Sequence, residues 1–130
     1  MMNKSFLKKL GLVVVVVALV LSASQSAEGG WNEGYDAYMR DDFTTALKEF
    51  RPLAEQGNAS AQFNLGLMYR KGWGVPKDYV LAYMWFNISA TNGDKDVEKS
   101  RDIVEKKMTP QQIADAQKLS REWLEKHKKK

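Results

Sequence analysis

Apolar residues recur at helical spacing in two stretches of the chain. Asp42, Phe43, Ala46, Leu47, Phe50, Ala54 and Gly57 return 36 positions later as Asp78, Tyr79, Ala82, Tyr83, Phe86, Ala90 and Gly93. Counted from the first aromatic, the apolar members of each copy fall at i, i+3, i+4, i+7 and i+11, one stripe of a helix, so both segments are expected to be amphipathic helices. Each begins after an aspartate able to accept from free backbone N–H groups and ends near a glycine able to take the left-handed closing conformation. Pro52 falls inside the first stripe, and the lost donor and ring clash predict a kink or break near Arg51.

A second helical segment precedes each stripe. Ala61, Leu65, Gly66, Tyr69 and Gly72 mark one, with small residues where a neighbouring backbone can approach; Gly34, Ala37 and Tyr38 mark a shorter one. Each unit is then a pair of antiparallel helices, unable to bury its apolar face alone and obliged to stack on the next. Between the helices of the second unit runs Gly72-Trp73-Gly74-Val75-Pro76-Lys77-Asp78, with glycines for unusual backbone angles and an aspartate cap. Trp73 in that connection is either a lid over the helix pair or an exposed anchor. Beyond Gly93, Asp94 to Met108 is expected to form one charged helix with Val97, Ile103, Val104 and Met108 as apolar contacts. Thr109-Pro110-Gln111-Gln112 is a helix start with threonine cap, proline at the first position and glutamine at the third. The last helix then presents Ile113, Ala116, Ser120, Trp123 and Leu124.

Ala61, Leu65, Gly66, Tyr69, Gly72, Gly74, Val75, Asp78, Ala82, Ala90 and Gly93 together resemble the motif of the Sel1-like repeat family, relatives of the tetratricopeptide repeats. The resemblance covers one complete repeat, residues 58–93. The stretch 31–57 lacks the glycine-rich connection and looks more like a tetratricopeptide unit, carried by Gly34, Ala37, Asp42, Phe43 and Ala46. The run from Met108 through Trp123 is similar to the ends of small exported Sel1-like proteins. The fold implied is all-α: a short α-solenoid of helix hairpins, with residues 94–130 supplying C-terminal helices, the last of which caps the stack.

The first 27 residues stand apart. Lys4, Lys8 and Lys9 precede an apolar run from Leu10 to Leu21, and small residues follow to Ala27, the order of a secretory signal peptide. The run is shorter than the roughly 20 residues that span a bilayer. Cleavage is expected between Ala23 and Ala27, leaving residues 28–130 in the periplasm; the alternative is an uncleaved signal anchoring the chain in the inner membrane. With no cysteine, the exported body gains nothing from disulfides and offers no thiol chemistry.

The net charge of +4 misleads. Setting aside the three lysines before residue 28 leaves +1, and setting aside the four among the last five positions leaves residues 28–125 at −3. A mildly acidic body argues against nucleic acid as partner.

Candidates for catalysis are poor. Asp41 and Asp42 are adjacent at a helix start, where they serve capping and the helix dipole. Asp94, Asp96 and Glu98 lack the glycine and later ligands of a calcium loop, and His127, the one histidine, sits in the lysine tail as a solvated residue. No metal, cofactor, small-molecule substrate or enzymatic activity is expected. What the resemblance implies is a protein-interaction module. Carrying tetratricopeptide inner-face positions onto this chain gives Trp31, Tyr35, Tyr38 and Met39 from the first unit and Phe63, Leu67, Arg70 and Lys71 from the second. An aromatic and aliphatic groove with two cations at one end suits a peptide with an acidic flank. The competing reading has Trp31, Tyr35 and Phe63 filling core. Two other functions stay open: an envelope-surface protein touching anionic membrane or cell wall through Lys126 to Lys130, and a hydrolase, as claimed for some cysteine-rich relatives. With so few units, self-association is a further option.

Overall fold

A computed structural model describes residues 30–128; the expected signal segment and the last two lysines lie outside the described residues. Six helices follow in order: α1 over residues 30–39, α2 Phe43–Glu55, α3 Ala59–Lys71, α4 Tyr79–Thr91, α5 Val97–Glu105 and α6 Pro110–Lys126. Among the described residues there is no strand, and no helix is long and apolar enough to cross a membrane.

Local chemistry sets the boundaries. Asp42, Asn58 and Asp78 each accept from the backbone N–H three residues on, at 3.3, 2.9 and 3.1 Å. Thr109 and Gln112 cap each other reciprocally with Pro110 at the helix start. Gly57, Gly72 and Gly93 close α2, α3 and α4 with φ of +96°, +72° and +105°, angles that glycine adopts without a Cβ penalty.

Three expectations are corrected. Pro52 does not break its helix: α2 is continuous to Glu55. The proline itself is exposed, in a last turn whose other side buries Leu53 and Ala54, and the carbonyl deprived of its donor belongs to exposed Lys48, where water can reach it. The charged segment after Gly93 is helical only from Val97. Asp94 instead holds a turn, its carboxylate accepting from the Asp96 N–H at 3.0 Å. Within α5, Val97 and Val104 face inward, and Met108, in the turn beyond it, is half-buried against the same core, but Ile103 is 45% exposed, because the seven-residue step from Val97 to Val104 defines the buried side and Ile103 lies about 100° off it.

α4 is the centre of the molecule, packing against α3, α5 and α6. Ala82 to Phe86 are buried without interruption, so α4 is enclosed on every side where an amphipathic helix was expected. Met84, Trp85 and Ile88 join a core shared with Phe50, Leu53, Leu65 and Met68. Ala82, Tyr83 and Phe86 join a second core with Val97, Val104 and Ala116. At Gly66 it is the fully buried Phe86 ring, not a backbone, that needs the missing side chain's space.

Buried polar groups join the layers. Gln62 donates to the Ala54 carbonyl at 2.9 Å and accepts from Asn92 at 3.0 Å, while the Ser89 hydroxyl donates to the Ala59 carbonyl at 2.8 Å. Trp73 is a lid, and it closes the neighbouring unit: its indole stacks on Phe43 at 4.8 Å, nearly parallel, and meets the Tyr38 ring edge-on at 5.8 Å. At the far end Trp123 packs on Trp85 and donates to the Glu55 carboxylate at 3.3 Å. His127 remains exposed yet is not a loose tail residue, since it stacks on Trp123 at 3.7 Å and places Nε2 3.3 Å from Glu55.

Candidate functional site

The first helix of each hairpin carries the residues expected to form an inner face. On α1, Trp31 packs on Phe50 at 5.4 Å and stacks with Tyr35 at 6.2 Å. Tyr38 is half-buried among Phe43, Phe50 and Trp73. Tyr35 and Met39 stand out, 47% and 64% exposed. The α1 residues therefore divide: Trp31 and Tyr38 are anchored in the core, and Tyr35 and Met39 offer apolar surface to solvent.

On α3 the division runs the other way. Phe63 and Leu67 are half-buried and pack on the second core, Phe63 lying 5.7 Å from Phe86. Arg70 is half-buried and Lys71 exposed at the helix end. Burial pushes the Tyr38 phenol above its ordinary value, while the nearby Arg70 guanidinium pulls it down.

A cleft of about 360 Å³ opens between the ends of α3 and α5, lined by Arg70, Lys71, Lys77, Tyr79, Ile103 and Lys107 among others. Sequence reasoning found Arg70 and Lys71 but missed Lys77 and Lys107, which come from the α3–α4 connection and the turn after α5. Nothing in their spacing signals a shared site.

The lysine tail shows a different use for part of its charge. Lys128 pairs with Glu125 at 2.8 Å, and Lys126 lies in the last turn of α6, where a cation complements the helix dipole.

Six helices in stacked hairpins make this an α-helical repeat protein. Residues 59–94 match the model of the Sel1 repeat, one position on from the window given by the motif. The fold is similar to the crystal structure of a protective antigen present in uropathogenic Escherichia coli strains, displaying an SLR fold, with a TM-score of 0.72 and 35% identity. The match covers 82% of this chain and 24% of that one, so the chain spans about a quarter of the antigen's length. No curated protein matches the sequence. Sel1-like repeats generally mediate protein–protein interaction and are typically non-catalytic.

Proposed function

We propose that this chain is a non-catalytic adaptor of the periplasm that holds a protein or peptide segment on the inner face formed by α1 and α3. The observation carrying this reading is the pair of large apolar side chains left in solvent on α1, Tyr35 and Met39. Exposed apolar residues are ordinary when scattered singly; here two lie on consecutive turns of the helix that repeat stacks turn toward partners. Trp31 and Tyr38 anchor the α1 part of that face on Phe50, Phe63 and Leu67 anchor the α3 part on the second core, and Arg70 and Lys71 favour an acidic flank on the segment bound.

A photo-crosslinking residue placed at Met39 in cells tests the reading, with Lys48 on α2 as the outward-facing control. Discrete protein adducts from position 39 and none from 48 are expected; equal labelling from both, or none from either, would overturn it. Export is tested separately by fractionation and by sequencing the mature N-terminus, which is expected to begin between residues 24 and 28.

A further inference from the structure

We propose that the cleft between the ends of α3 and α5 is a subsite for an acidic stretch of a polypeptide partner, one placing at least two carboxylates beside an apolar side chain. The proposal rests on the adaptor reading and names the chemistry of the segment held.

Arg70, Lys71, Lys77 and Lys107 reach this cleft from three separate parts of the chain. None of the four has a carboxylate within 4.0 Å among the described residues, where the ion pairs are Lys118–Glu122, His127–Glu55 and Lys128–Glu125. Residues 28–125 hold more acids than bases, yet no acid lines the cleft. Gathering like charges opposes folding, so folding alone does not account for the segregation. The Arg70 Nε is shut off from solvent and has no hydrogen-bond partner among the described residues, so no acid of the chain neutralises this guanidinium at Nε.

The lining is also apolar in part. Tyr79 forms one side, with the Lys77 ammonium 5.5 Å from its ring centre, and Ile103 on the other side is 45% exposed. A cation over an aromatic face is held in place and stays available to an anion. The volume admits several side chains, more than a lone inorganic anion fills. The surrounding negative charge disfavours a long polyanion or an anionic bilayer, whereas a short acidic segment with one apolar residue meets both kinds of wall. Ile103, out of register with the buried side of α5, acquires a role here as the apolar contact.

The test uses the full mature chain and a fluorescein-labelled dodecapeptide of Glu-Glu-Leu repeats, read by anisotropy. Binding is expected, weakening with added salt, and falling about tenfold in the Lys77→Ala, Lys107→Ala variant through loss of two charge contacts. A variant carrying Lys48→Ala and Lys118→Ala loses the same charge elsewhere and is expected to bind as before. All four side chains are exposed, so each variant is expected to keep its helices, and circular dichroism checks this. The proposal is overturned if the peptide does not bind, if its glutamine counterpart binds equally, or if the cleft variant binds unchanged. Displacement by millimolar inorganic phosphate, but not by chloride at equal ionic strength, would make the cleft a small-anion site and sink the proposal. Cleft-dependent binding of phosphatidylglycerol vesicles in place of the peptide would do the same. Should the peptide fail while Met39 crosslinks persist, the cleft proposal falls and the adaptor reading stands.

Discussion

Gly66 and Gly74 show how single positions control contacts between helices. A Cβ on Gly66 would fall within the Phe86 ring, which is buried and cannot swing away, so Gly66→Ala is expected to cost about 1–3 kcal/mol. Gly74 combines φ of +74° with a site 2.9 Å from the Phe43 carbonyl oxygen, and alanine there meets both backbone strain and a clash. Denaturant titration measures each, and a midpoint equal to the parent's would refute the close packing. Asp42 gives a pH signature. Hydrogen bonding from the Thr45 side chain, and then from its N–H, holds the Asp42 carboxyl below its ordinary value of 3.8. A depressed carboxylate stabilises the fold fully above the unfolded-state value and ceases to as pH falls through the folded one. Asp42→Asn keeps a capping oxygen without the charge, so its stability gap to the parent is expected to be constant at higher pH and to narrow only below 3.8.

Helix ends were legible in the sequence because their causes are local. Asp42, Asp78 and the Thr109–Gln112 pair act on backbone within three residues, and the stripe of each helix is periodic in the chain itself. Thr109→Ala removes one half of the reciprocal cap and is expected to cost about 1 kcal/mol, a drop of roughly 4–8 °C in Tm. An unchanged Tm would mean that α6 starts by other means. What escaped sequence reasoning depends on neighbours distant in the chain. Pro52 is tolerated because it and Lys48 lie on the side of α2 that faces water, and α4 is enclosed because α5 and α6 cover the side that its own pattern leaves unassigned. The candidate site divides likewise: Arg70 and Lys71 follow from their repeat position, whereas Lys77 and Lys107 join them only once α5 has docked.

At the scale of the molecule, the two repeat units cohere through Trp73. Its stack on Phe43 and edge contact with Tyr38 join the connection of one hairpin to the turn of the other. Trp73→Ala is expected to cost about 2–4 kcal/mol and to weaken the coupling between units. In repeat proteins stability is close to a sum of unit and interface terms, so the variant's unfolding should broaden, with fluorescence and helical signal no longer coincident. A single sharp transition seen by both probes would place the coupling elsewhere.

The bridge from Glu55 reaches Trp123, 68 positions on in the chain, and His127 one turn beyond it. An open solenoid lengthens by adding modules at its free edge; here the final helix returns to the first module and fastens to it, so the array is clasped. Loss of the residues from Trp123 onward to a protease would release the end of α2 as well as the end of α6, so trimming at the tail would be felt in the first module too.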